Sequence, residues 1–297
     1  MTIYSQIDKN KRNTFIIMFF FTVFITSMGY FLSEIFWGQG AGAFGLILAF
    51  IFSSVSSVSS YYFSDKMVLA IAGAKKVARE DSPLVYGILD NLSIGAGLKK
   101  VPDLYIIEDS ATNAFATGRD PEHAVVAVTT GLLQKLNKRE IEGVLAHEIS
   151  HITNYDIRLM AITAILVGSI TLLVNFILQG SFNSDNDRKV PPFVILIGVV
   201  LAILSPIIAE LIKLAISRNR EYLADASGAL LTRDPEGLAS ALEKIAHDHE
   251  PLEVANEATA HMYISNPLKK GKNADIFANL FNTHPPVEER IKRLRGM

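Results

Sequence analysis

Four stretches of this chain run without a charged residue far enough to cross a bilayer as helices: Thr14 to Ser33, Ile35 to Ser64, Leu159 to Ser184 and Val190 to Ala209. A spanning helix needs about 20 apolar residues, because hydrocarbon offers the backbone no outside hydrogen-bond partner. The runs form two hairpins. The first is read as spans at about 15–35 and 42–63 with a short glycine-containing connection. The second is broken by the polar segment 180–189 and by Pro191-Pro192. The resulting division is an N-terminal segment (1–13), a transmembrane hairpin (14–63), a first aqueous segment (64–158), a second transmembrane hairpin (159–212) and a second aqueous segment (213–297). The two aqueous segments together are long enough for one domain.

Flanking charge orients the hairpins. Lys9, Lys11 and Arg12 precede the first run, Lys66, Lys75, Lys76 and Arg79 follow the second, Arg158 precedes the third, and Lys213, Arg218 and Arg220 follow the fourth, whereas the 34–41 connection has no Lys or Arg and the 180–191 connection has only Arg188 and Lys189. The positive-inside rule places both termini and the 64–158 segment in the cytoplasm. A signal peptide is the alternative for the first run, but its length and the span directly after it favour an anchor. The serines at 53, 54, 56, 57, 59 and 60 suit close helix packing in lipid, with a polar conduit as the alternative reading. A hydrophobic content of 49% fits four spans plus an aqueous domain, and the net charge of −2 leaves no nucleic-acid footprint. The lipid bilayer is thus an expected partner and nucleic acid is not. With no cysteine, disulfides are excluded.

Inside the first aqueous segment stands His147-Glu148-Ile149-Ser150-His151. On a helix, residues four apart share a face, so both imidazoles can grip one ion while Glu148 holds a water. Asn137 and Glu140 are spaced as a capping box, and Ile141, Val144, Leu145, Ile149 and Ile152 recur at helical period. That puts both histidines mid-helix. A surface helix with two solvated histidines is the bland alternative.

Catalytic zinc needs three protein ligands and an open position. Glu221 is the candidate third ligand, and Asp225, four residues on, can accept the ring N–H of a ligating histidine. A solvated acidic pair among arginines is the other reading. The second hairpin lies between His151 and Glu221, so the ligand helices stand near the membrane surface and can run on into the spans. The chemistry this donor set supports is metal-assisted peptide hydrolysis with Glu148 as general base and one Zn2+ per chain.

Segments 104–107 and 124–129 read as strands, the second buried. Asn113-Ala114-Phe115-Ala116-Thr117-Gly118 between them alternates as a short edge strand able to take an extended polypeptide by β-addition, with Asn113, Ala114 and Phe115 as candidate substrate contacts. A turn asparagine is the competing reading of Asn113. The fold expected is mainly α and membrane-embedded: four transmembrane helices plus an α+β gluzincin-type zinc peptidase domain with a small antiparallel or mixed sheet. His284, ahead of a helix that Pro285 or Pro286 starts, is a candidate oxyanion donor alongside the plain reading of a loop histidine. The 251–283 stretch has no clear periodicity and reads as a flap or a surface loop.

Two spans, Asn-Ala-Phe-Ala, His-Glu-Ile-Ser-His, two more spans, Arg-Glu-Tyr-Leu-Ala-Asp and a terminal His-Pro, in that order, resemble the HtpX family of membrane zinc metallopeptidases and, more distantly, the CAAX prenyl proteases. The resemblance covers nearly the whole chain. It implies His147, His151 and Glu221 as zinc ligands, Glu148 as catalytic base, Asp225 behind a ligand and Asn113 in the substrate groove. It also implies work in the bacterial inner membrane on misfolded or damaged membrane proteins under stress. Two other classes stay open: a scaffold with a structural metal, against which Glu148 argues, and a processing enzyme for one lipidated substrate, which typically carries more spans.

Overall fold

The computed structural model describes residues 3–182, 218–248, 250–254, 259–265 and 285–297. Two long helices open it, α1 (Ile3–Trp37) and α2 (Gly42–Ile71). Their apolar windows, Ile7–Glu34 and Gly42–Ile71, are long enough to span a bilayer and only 17% and 22% buried. Phe15, Phe19, Phe20, Phe31, Phe44, Ile47, Phe50 and Val55 all face outward. Water would penalise so large an apolar surface, and lipid does not. Ser53, Ser57, Ser60 and Ser64 form the buried stripe of α2, the small-residue packing its spacing suggested. The helix outlasts its uncharged run, through Asp65 and Lys66, and stops where Gly73 adopts φ +60°.

A four-stranded mixed sheet follows, made of β1 (Lys75–Lys76), β2 (Asp103–Ile107), β3 (Ala114–Thr117) and β4 (Val125–Thr129) in the order β1-β2-β4-β3. Strands β2 and β4 are parallel, and the other pairs are antiparallel. Every residue of β4 is buried, since its two faces meet different cores. Val126 and Val128 join the cluster under helix α3 (Pro83–Gly95), while Val125 and Ala127 pack with Val68, Met160 and Tyr263. Strand β3 lies at the edge, as its alternation suggested.

After the short α4 (Thr130–Lys135) comes α5 (Lys138–Thr153). Its capping box forms, with the Glu140 N–H donating to Asn137 Oδ1 at 3.1 Å and the Asn137 N–H to Glu140 Oε2 at 2.8 Å. Helix α6 (Asp156–Phe182) starts after a sharp turn in which Tyr155 takes φ +59°. The α5 ligand helix therefore does not run on into the third apolar run; a left-handed residue at 155 redirects the chain. Near its start α6 packs on α1 through Leu159, Ile162 and Leu166 against Ile17, Phe21 and Ile25. The fourth apolar run, 190–209, lies outside the described residues. Helices α7 (Arg218–Thr232), α8 (Pro235–His247, capped by Asp234) and α9 (Val287–Leu294, preceded by Pro286) are the remaining described α-helices.

Candidate metal centre

Helix α5 is buried along nearly its whole length because β3 and helices α7 and α8 pack around it. Two glycines permit that approach. A Cβ at Gly143 would sit 2.6 Å from Leu238 N on α8, and one at Gly228 on α7 would sit 3.0 Å from His147 N. Close contact at Gly228 brings the α7 carboxylates to the α5 imidazoles.

His147, His151 and Glu221 each turn a ligand atom toward one point, all within 4.8 Å of one another, and all three are buried. His147 Nε2 and His151 Nε2 are 3.1 Å apart, and the Glu221 oxygens lie 3.9 and 3.5 Å from them. Bonds of about 2.0–2.2 Å from such donors to one ion suit spacings of this order. The outer nitrogens are engaged by carboxylates: His147 Nδ1 is 3.0 Å from Asp225 Oδ1 and His151 Nδ1 is 3.0 Å from Asp156 Oδ2. A proton on each Nδ1 leaves each Nε2 with a lone pair aimed at the common point.

Charge argues the same way. Glu148, Asp156, Glu221 and Asp225 are 2–3% exposed, and the guanidiniums among them belong to Arg220 and Arg290. Among the described residues, with Glu148 ionised and both imidazoles neutral as ligands must be, four carboxylates face two guanidiniums, and one divalent cation would neutralise the excess. Burial alone would lower His151, but the Asp156 hydrogen bond and the nearby Glu221 carboxylate lift it to about 9. Burial lowers His147, the Asp225 bond notwithstanding. Burial also pushes Glu148 up to about 7, against a backbone N–H donated by Ala116 of β3. These residues fit a metal ion.

Arg290 of α9 was not foreseen from spacing. It is 2% exposed, donates twice to Asp225 at 2.8 and 2.7 Å and once to Ile264 O at 3.1 Å, and comes within 3.7 Å of Glu221. Nor was Asp156, five residues beyond His151, which an i+5 carboxylate after the motif would have flagged. Asn113 is buried. Its Nδ2 donates to Ser265 O at 3.1 Å, and its Oδ1 accepts from the Ala114 N–H. At Ala114 the edge of β3 is met by the chain itself, since the Ile264 N–H donates to Ala114 O at 3.0 Å. The Phe115 ring is in the core, edge-on to Tyr263 at 5.1 Å, and its backbone faces Ala127 of β4 rather than the free edge. His284 lies outside the described residues. Outside the centre, His247 closes α8 on the surface and His261 is buried with Nε2 3.1 Å from Met160 O.

Residues 83–297 match the family described as Peptidase family M48. A protein named "Protease HtpX homolog" from Dictyoglomus thermophilum is 43% identical over 297 residues, covering 100% of this chain and 95% of the relative. A protein of the same name from Tropheryma whipplei is 46% identical, over 99% of this chain and 98% of the relative. The crystal structure of S. mikatae Ste24p aligns with TM-score 0.48 and 23% identity over 82% of this chain and 57% of that one.

Proposed function

The chain belongs to peptidase family M48 and is a membrane metalloprotease; from that premise we propose a zinc-dependent endopeptidase with His147, His151 and Glu221 as ligands and Glu148 as general base. The observation that carries this reading is the convergence of three buried ligand atoms beside Glu148 on one helix. A zinc ion held there would polarise the scissile carbonyl and acidify a water toward neutrality.

The chain's own residues do the rest. An extended polypeptide adds to the outer edge of β3, where Ala114 offers its backbone and Asn113 its side-chain amide above the buried Phe115 ring, displacing the Ile264 and Ser265 contacts. Glu148, oriented by the Ala116 N–H, accepts a proton from the attacking water and passes it to the leaving amine. Asp225 and Asp156 hold the imidazoles in the tautomer that presents Nε2. His284, which lies outside the described residues, is the proposed donor to the developing oxyanion.

In this proposal the chain crosses a bacterial inner membrane four times with both termini and the metal centre on the cytoplasmic face, so the chemistry lies at the bilayer surface; the Lys and Arg residues flanking the apolar runs support that reading. The substrates are accordingly misfolded or damaged membrane proteins, and the role is quality control under stress. The test is metal analysis with casein digestion on the detergent-purified chain. Glu148→Gln keeps zinc and loses turnover by about 10²-fold or more, while Glu221→Ala loses both. Undiminished proteolysis by Glu148→Gln refutes the mechanism. An unfolded membrane protein is cleaved in preference to a prenylated peptide; the reverse preference would move the assignment to lipidated-protein processing.

A further inference from the structure

We propose that Asn10, on the first membrane helix, is a positioning residue for the metal centre: it holds Asp156, which in turn holds His151. The inference deepens the reading of His151 as a zinc ligand and rests on it.

A helix that only anchors a domain in lipid needs no buried amide at its aqueous end. Yet Asn10 is 2% exposed and lies between Lys9 and the Lys11-Arg12 pair, inside the apolar window that begins at Ile7. Its hydrogen bonds are specific. Nδ2 donates to Asp156 Oδ1 at 2.6 Å and to Asn154 O at 2.9 Å, and Oδ1 accepts from Arg220 Nη1 at 3.1 Å. A flipped amide would set its oxygen against two acceptors, so the network fixes which end is which. The other Asp156 oxygen is the one 3.0 Å from His151 Nδ1. Arg220 adjoins Glu221 in sequence and stands 3.6 Å from Asp156. One amide thus ties together the partner of one ligand and the neighbour of another. Lys11 strengthens the tether, its ammonium 4.3 Å from the centroid of the Tyr155 ring in the same turn.

Asp156 without Asn10 would keep its charge but lose the donor that fixes its plane, and the His151 ring would follow. Polar contacts between membrane helices also serve as plain glue. The two roles separate because glue acts on the helices, whereas positioning acts on the ion through Asp156.

The experiment measures how fast zinc passes from the purified full chain to a chelator, with thermal unfolding recorded in parallel. Asn10→Ser is expected to release zinc about 10–100-fold faster, the range typical for loss of an outer-shell partner. Asn10→Gln, which keeps the amide, recovers part of that; under a pure packing role the larger side chain would be the worse of the two. Thr14→Val, one turn along and also buried, stays within about twofold of wild type. Asp156→Asn accelerates release, and adding Asn10→Ser to it changes nothing further. Full additivity, or wild-type release from Asn10→Ser while His151→Ala holds no zinc, overturns the proposal and leaves the metal reading intact. Zinc retained by His151→Ala overturns the metal reading itself.

Discussion

The two histidines of the centre are backed differently. His147 leans on Asp225, which is clamped by Arg290 from helix α9. His151 leans on Asp156, which is held by the Asn10 amide from the membrane helix α1. One arm ends in a two-pronged buried ion pair within the aqueous part, and the other in a neutral amide at the mouth of a membrane span, with the Arg220 guanidinium standing off at 3.6 Å. The electrostatic outcome differs accordingly. Burial lowers His147, with the His151 and Arg290 charges adding to it and Asp225 opposing. For His151 the Asp156 bond and the surrounding carboxylates overcome burial. Two imidazoles one helical turn apart, identical in sequence logic, are made unlike by what stands behind them.

The sharpest way to break this contrast is Arg290→Ala. It strands the Asp225 charge in the interior and is expected to cost about 3–5 kcal/mol, read as a fall in thermal unfolding temperature in detergent. Arg290→Lys should not restore it, because an ammonium cannot reproduce the two-pronged contact. An unchanged unfolding temperature would mean the first arm is not held by its ion pair.

Next come the carboxylates. Asp225→Asn and Asp156→Asn are each expected to weaken zinc binding about 10–100-fold in a chelator competition. Asp225→Asn should lose more, since Arg290 grips Asp225 with two donors at 2.8 and 2.7 Å, whereas Arg220 approaches Asp156 only to 3.6 Å. Equal losses would erase the distinction between the arms.

The glycine contacts sharpen it further. Gly228→Val forces α7 away from His147 and should both destabilise, by about 1–3 kcal/mol, and reduce zinc affinity. Gly143→Ala meets Leu238 instead and should destabilise to a similar degree with affinity unchanged. If Gly143→Ala loses zinc as well, packing of α8 also shapes the centre.

A site far from the metal sets the smaller end of the scale. Asp248 accepts from the Thr112 N–H and from Lys135 Nζ, both at 2.8 Å. Burial would raise its carboxyl, but the Lys135 and Thr112 contacts hold it well below the usual carboxylate range. A folded pKa below the unfolded value gives stability that is present above about pH 4 and lost as pH falls through the folded value. Asp248→Asn should therefore shallow the acid limb of unfolding-temperature measurements while leaving zinc release as in wild type. The exposed Lys75–Glu108 pair, 71% exposed on both sides, is worth under about 1 kcal/mol, and Lys75→Ala should shift the unfolding temperature least of all.

Much of the centre was legible because it is local. Two histidines four apart, a capping box at Asn137 and Glu140, and an acidic pair at Glu221 and Asp225 all follow from the 3.6-residue repeat. That repeat operates within one helix and needs no knowledge of its neighbours. The uncharged runs likewise announced two lipid-exposed helices, and the alternation of 113–118 announced an edge strand. The reversal at Tyr155 was not legible, since no glycine or proline marks it.

The partners that aim the ligands were hidden for a different reason. Asn10 and Asp156 are 146 residues apart, and Arg290 and Asp225 are 65 apart. No periodicity links such positions. Composition and spacing were enough to specify a membrane peptidase with a two-histidine helix and a carboxylate helix. Packing alone chose which charged groups stand behind each imidazole. That choice depends on how closely α7 approaches α5 at Gly228, and on which face of α1 meets the turn before α6. Buried polar groups cost too much to leave unmatched, so those contacts select a single arrangement of partners that the linear order of residues does not reveal.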